Sequence, residues 1–293
     1  MTTPADTVSE LQKPDPSALV ELYEIHMDQT LHYFKWEANK AYIVGDTVRS
    51  NNLVFDSAHP TAFPPIGIVF VCTTAGTSGS NEPSFANSTN GDIITDSGTL
   101  RWTAKQCVKR FSSGLNSNLP STANFPISLM DAGIRFDGKV FEPFPIEAEG
   151  FAMSSKGTLP RPILTISNVN IFFAANNSVP VTAGGTAPPA GTMSAIMQEL
   201  NKVNVGNDFI GSTFVRIRTL AKFLPDQNFG RPNPTADSNQ KFPEDIFLIV
   251  RKVVENQEVV QFECAMQNDN FGFKLPRRQI LPSEFPAIGE FFQ

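Results

Sequence analysis

The three histidines, His26, His32 and His59, are the side chains of this 293-residue chain best suited by intrinsic pKa to move protons near neutral pH. None sits in an H-x-x-x-H or H-E-x-x-H pattern, and there is no G-x-S-x-G elbow and no P-loop. A Ser-His-Asp site assembled from distant residues is the one hydrolytic arrangement left open. Cys72, Cys107 and Cys264 are odd in number and far apart, so neither a disulfide framework nor a C-x-x-C metal site follows, and three reduced thiols are expected. Gly76-Thr77-Ser78-Gly79 has the small residues of a phosphate cradle but lacks a following Lys and a helix, so a plain turn is expected. The expectation is a chain that is not an enzyme.

Other residue types suit recognition. Trp36, Tyr42 and Trp102 have the flat apolar faces that stack on pyranose C–H groups, Trp102 and Trp36 being the better platforms. The competing reading makes them the core of a unit of ~70 residues, which needs large side chains to bury enough area. Arg216 and Arg218 alternate with Val215, Ile217 and Thr219, the period-2 pattern of a strand with one wet face. Together with Arg277 and Arg278 they could form a basic surface for acidic partners; the competing reading is a solvated strand face. Phe291 and Phe292 close an apolar stretch that begins at Phe285. That stretch either folds back into the core or anchors a neighbouring subunit, and the second reading is favoured because aromatic anchors suit an extended arm.

These residues need a scaffold. Hydrophobic residues make up 41% and charged residues 18%, a globular balance whose low charge implies a surface partly covered by partners. The net charge of −6 argues against a specific nucleic-acid surface. No apolar run reaches the ~18–20 residues that span a bilayer, and the polar N-terminus does not read as a signal peptide. The 23 prolines, among many short apolar runs, favour β structure joined by rigid turns.

Along the chain, residues 4–13 read as a short helix capped by Thr3, Leu19–Met27 as a strand, and Leu31–Phe34 as the start of another. Residues 36–107 hold both tryptophans and closely spaced turn signals around short β runs at Ala41–Val44, Leu53–Phe55, Gly67–Thr73 and Thr99–Thr103. They read as a small β module inserted into a body made of residues 1–35 and 108–293. In the body, Asp137-Gly138 marks a tight hairpin between Ile134–Phe136 and Lys139–Phe141. Pro143 and Pro145 mark a strand that is ending or at an edge. Lys156-Gly157 marks a turn, Ile163–Ser167 a strand, and 174–192 a low-complexity loop. Met193–Val203 has helical spacing of Ile196, Met197, Leu200 and Val203. Asp245–Val254 and Glu258–Met266 form a second hairpin. The fold class expected is mainly β: a barrel or sandwich body with one short helix, plus the inserted β module.

The segment Ile134–Asn168 contains Gly138-Lys139-Val140-Phe141-Glu142-Pro143-Phe144-Pro145-Ile146, then Gly150-Phe151, Lys156-Gly157, and Arg161-Pro162-Ile163-Leu164-Thr165-Ile166-Ser167-Asn168. With Val20–Ile25, Gly211–Arg218, Ala221–Leu224, Asn228-Phe229 and Leu275–Arg278, this order resembles the phage minor tail protein L family. The resemblance covers roughly residues 18–34 and 110–282. It implies a structural virion protein at the tail tip of a long-tailed phage, assembled in the host cytoplasm. Such a protein joins the distal tail ring to the central hub and fibre assembly, as one part of a threefold hub (a homotrimer within a baseplate-like tip). The basic residues would then face acidic partners or the DNA path. Family members continue into a cysteine-rich domain resembling an iron–sulfur site. Here only Cys264 stands near the corresponding end, so no cofactor is carried over. Residues 36–107, with Trp36-Glu37-Ala38, Gly45-Asp46-Thr47-Val48, Phe70–Gly79 and Leu100–Thr103, resemble chitin-binding-type carbohydrate-binding modules. That second resemblance implies the alternative function, a host-surface glycan adhesin.

Overall fold

The computed structural model of the chain describes residues 3–60, 62–114, 133–152, 159–168 and 208–266. The helix expected at Met193–Val203, the loop 174–192, the Lys156-Gly157 turn, Arg277, Arg278, Phe291 and Phe292 lie outside these residues. Helix α1 (Ala5–Leu11) forms where expected, but Pro4 rather than Thr3 precedes it and no side chain caps it. Tertiary contacts hold it: Glu10 Oε2 lies 2.8 Å from Lys222 Nζ, and Thr7 Oγ1 donates to Gln240 Oε1. Strand β1 (Leu19–His26) follows. The strand expected from Leu31 is instead a helical turn, α2 (Gln29–His32). Asp28 is the reason, because its Oδ1 accepts from the backbone N–H and the hydroxyl of Thr30, the geometry that starts a helix.

The chain then builds seven strands in two further sheets: β2 (Phe34–Lys35), β3 (Ala41–Tyr42), β4 (Thr47–Arg49), β5 (Ile68–Thr74), β6 (Gly76–Thr77), β7 (Ile93–Thr95) and β8 (Arg101–Gln106). Five of these pair in the order β2-β4-β5-β8-β7, while β3 pairs with β6. Leu53–Phe55 makes only a single bridge, Phe55 to Gly67. The sheet starts at Phe34, before the expected boundary, and ends at Gln106. Cys107 already packs in the body's core, as does Val69 of β5.

Strand β9 (Val108–Ser112) returns to the body. Strands β10 (Ile134–Phe136) and β11 (Lys139–Pro143) form the expected hairpin. Asp137 and Gly138 have φ of 52° and 69°, the positive pair that a type I′ turn requires. β12 (Ile146–Glu149), β13 (Ile163–Ser167), β14 (Thr213–Leu220), β15 (Asp245–Glu255) and β16 (Val259–Ala265) complete a nine-stranded sheet. Its order is β10-β11-β9-β1-β14-β15-β16-β13-β12.

No closed barrel forms among the described residues, but the sheet curls enough to wrap one core. Tyr23, Phe111, Ile146, Leu164, Phe214, Phe247 and Phe262 come from seven strands and share one buried cluster. Each such side chain contributes about 1.5–3 kcal/mol by leaving water. The two flanks are bridged at a bend. Phe144 N–H donates to the Ser112 carbonyl on β9, and the Pro145 carbonyl accepts from Ser167 N–H on β13, both at 2.8 Å. Pro145 has no N–H to continue a ladder, so the strand turns there. The other face of β1 and β14 is covered by the hairpin, through Leu22, Phe136, Phe141, Val215, Ile217 and Leu224.

Candidate functional site

The three aromatic side chains proposed to stack on sugars are brought together, but as a core. Trp102, Tyr42 and Trp36 are 0%, 4% and 5% exposed and share one buried cluster with Phe70 and Phe85. Tyr42 and Phe85 each meet Trp102 edge to face, at 4.9 and 6.3 Å between ring centres. Both indoles donate to one oxygen: Trp36 Nε1 and Trp102 Nε1 lie 2.8 and 3.1 Å from Asp96 Oδ2. Asp96 Oδ1 accepts from Gly79 N–H. The turn expected at Gly76–Gly79 is instead strand β6 over its first two residues, paired with β3, followed by extended chain. The Tyr42 hydroxyl accepts from Glu37 N–H. None of the three therefore offers the free ring face that a sugar needs. The sequence holds the signal for the aromatic set but none for Asp96, which lies 60 residues from Trp36.

Arg216 and Arg218 do share a face of β14, but it is wet only towards Arg218, whose side chain is 28% exposed. That face also carries Phe214 of the core, so around Arg216 the strand is buried on both sides. Arg216 is 8% exposed and stacks its guanidinium 3.5 Å from the centre of the Phe151 ring. Its Nη2 and Nε donate to Asp245 Oδ2 at 2.7 and 2.9 Å, and its Nη1 lies 3.4 Å from Glu21 Oε1. Arg218 Nη2 is 3.3 Å from the same Asp245 oxygen. A charge run on a strand reads as solvated until its counter-ion, 29 residues away in the sequence, is placed beside it.

Each histidine has a polar partner within the chain. His32 Nε2 lies 3.1 Å from Ser212 Oγ, with the Asp28 and Asp208 carboxylates acting on its ring. This is the distant Ser-His-Asp grouping that the sequence leaves open. Ser212 and His32 are 0% and 2% exposed, and Asp208 is ion-paired to Lys252, so the pair is sealed from substrate. Burial lowers the His32 pKa below the usual imidazole value, against the pull of Asp28 and Asp208.

His26 Nε2 is 2.8 Å from Oε2 of buried Glu24. Arg110 Nε and Lys139 Nζ lie 2.9 and 3.2 Å from Glu24 Oε1. Burial opposes ionisation of Glu24, but the His26 hydrogen bond and the Lys139 and Arg110 charges outweigh it and hold the carboxyl well below the usual range.

All three thiols are buried and free. Burial raises Cys72 and Cys107, and Cys264 is pushed up to about 12. Among the described residues no three His, Cys, Asp or Glu side chains converge as a metal site would need, and no helix is long and apolar enough to cross a membrane. A cleft of about 510 Å³ between the β10–β11 turn and the 223–238 loop is lined by Arg135, Asp137, Lys139, Phe223, Gln227 and Asp237.

The family described as phage minor tail protein L matches residues 122–179 and 174–287, more than half of the chain. The tail tip protein L of Escherichia phage lambda is 27% identical over 108 residues. Those residues are 37% of this chain and 35% of the lambda protein, so the match spans about a third of that relative's length.

Proposed function

The chain belongs to the phage minor tail protein L family, a structural component of the phage tail, and from that premise we propose that it forms part of the tail-tip wall. In this reading it joins the distal tail ring to the central hub and fibre assembly, as one of three copies around the tail axis. The observation that carries the proposal is the nine-stranded sheet, covered on both faces of its central strands and bent onto itself at Phe144-Pro145. Such a sheet is a rigid curved plate. Among the described residues the nearest approach to a catalytic grouping, His32 with Ser212, is buried. The function proposed is therefore geometric rather than enzymatic.

Residues 34–106 are proposed as a unit carried on this wall, outside the tail's contact path. The experiment is assembly of tails with a chain in which these residues are replaced by a short turn, imaged by electron microscopy. Tails of normal length with a normal tip density minus one lobe are expected. Tails that stall before the tip would show that the insertion belongs to the wall itself. Density for the chain anywhere other than the distal end would overturn the tip assignment.

A further inference from the structure

We infer that Gln106 locks the inserted sheet to the body in one fixed orientation, as the central link of a continuous hydrogen-bond chain between them. The chain begins in the inserted sheet at His59, whose Nδ1 lies 3.0 Å from Asp56 Oδ2. Gln106 Nε2 donates to that same oxygen at 2.6 Å. Gln106 Oε1 accepts from Arg110 Nη2 of β9 at 2.8 Å. Arg110 Nε donates to Glu24 Oε1 of β1 at 2.9 Å, and Lys139 of the β10–β11 hairpin completes the run. Asp56 and Glu24 are both buried. Carboxylates withdrawn from water are stable as anions only while such partners stay in place, so the arrangement resists rotation about the joint.

A primary amide suits this position. The link needs a donor toward a carboxylate and an acceptor toward a guanidinium on one side chain, and the uncharged amide of Gln carries the two on separate atoms at the end of a stem long enough to reach both partners. The backbone beside it is stitched the same way. Cys107 N–H donates to the Gly67 carbonyl at 2.8 Å, and the Cys107 carbonyl accepts from Met27 N–H at 2.9 Å. On the other connection, Gln29 Nε2 donates to the Val54 carbonyl at 2.8 Å. A flexible tether would leave these groups to water. Here both crossings are bonded to sheets on either side, and the inference holds whatever the module contacts.

The test uses the full chain with spin labels on Ser97→Cys, in the exposed turn before β8, and Glu147→Cys, exposed on β12. The native cysteines are buried and stay unlabelled. Pulsed dipolar spectroscopy should give one narrow distance distribution, widened at least twofold by Gln106→Ala. Gln106→Glu keeps the volume but sets a carboxylate against Asp56, and should widen it as much. Trp36 and Trp102 are the chain's two tryptophans and both lie in the inserted sheet, so native fluorescence certifies that the sheet is still folded. Widening with native fluorescence supports the lock. A broad distribution in the unsubstituted chain, an unchanged width in both variants, or widening seen only when fluorescence is lost overturns it.

Discussion

The carboxamide of Asn228 pairs with the backbone of Arg135 as a neighbouring strand would. Asn228 Oδ1 accepts from Arg135 N–H at 2.8 Å, and Asn228 Nδ2 donates to the Arg135 carbonyl at 2.7 Å. Arg135 is the central residue of β10, which among the described residues is the outer strand on that side of the sheet. One buried side chain therefore does there what a tenth strand would do, and closes an edge that could template other chains.

Asn228→Ala removes both of these hydrogen bonds, and a third from Asn228 Nδ2 to the Pro225 carbonyl at 3.2 Å, at a buried site. A loss of about 1–3 kcal/mol is expected, because the Arg135 N–H and carbonyl are left without partners. Asn228→Asp keeps the acceptor but has no donor, and should recover less than half. Urea unfolding with unchanged m-values measures both. A loss under about 0.5 kcal/mol in Asn228→Ala, the usual range of a neutral surface change, would count against the edge-closing role.

Asp96 holds both indoles, so Asp96→Ala should destabilise the inserted sheet by about 1–3 kcal/mol as two largely buried N–H donors lose their acceptor. The tryptophan emission midpoint in urea should fall accordingly. Trp102→Ala should cost more, about 3–5 kcal/mol, through the cavity left in the core. If Trp102→Ala instead left the emission midpoint of Trp36 unchanged while abolishing retention on a glycan column, the indole would be a recognition surface and the core assignment would fail.

His32 gives a stability profile with a definite sign. Its pKa is lowered in the folded protein by burial, so below about 6.5 the unfolded chain binds the proton that the folded chain refuses. Stability should therefore fall as pH drops from 6.5 towards the folded pKa. His32→Gln should flatten that slope, and melting temperature against pH is the measurement. Glu24 acts lower on the scale. Its carboxyl is held below the usual range, so its contribution is present above about 4.5 and is lost as pH falls further. A slope between pH 6.5 and 5 that survives in His32→Gln would assign it to another group.

Gly67 allows the closest approach at the joint. A Cβ there would lie 2.5 Å from Gln29 Nε2 and 2.9 Å from its Cγ, against a side chain already bonded to Val54. Gly67→Ala should cost about 1–3 kcal/mol by displacing Gln29. Adding Gln29→Ala should return part of that loss, and thermal denaturation of the pair tests it. Additive losses would place the strain elsewhere.

Much of this was legible from local chemistry. Asp137-Gly138 declares its turn because few other pairs accept two positive φ values, and the strands on either side follow. Leu19–His26 and the β15–β16 hairpin were plain from β-rich runs flanking turn residues. The misreadings share one cause, which is that the deciding residue lies far away or in a neighbouring turn. Arg216 looks solvated until Asp245 is beside it. Trp102 looks like a platform until Tyr42 and Phe85 cover it. Leu31–Phe34 looks like a strand from its aromatic residues until the Asp28 cap beside it is placed, and the cap wins. Gln106 and Asp96 carried no sequence signal, and Asn228 entered only as part of a family resemblance with no role attached, since one amide or carboxylate among many shows its importance only when its partners are placed around it.

The register of β1 against β9 has a further meaning. His26 faces Val108, and Met27 is bonded to Cys107, so the chain leaves the body and returns to it at adjacent rungs. Closing so small a gap costs little chain entropy whatever is spliced between. The position works as a docking port whose contents are interchangeable: a different folded cargo could be fitted there while the plate beneath kept its shape, provided that it reproduced the few bonds that clamp the mouth.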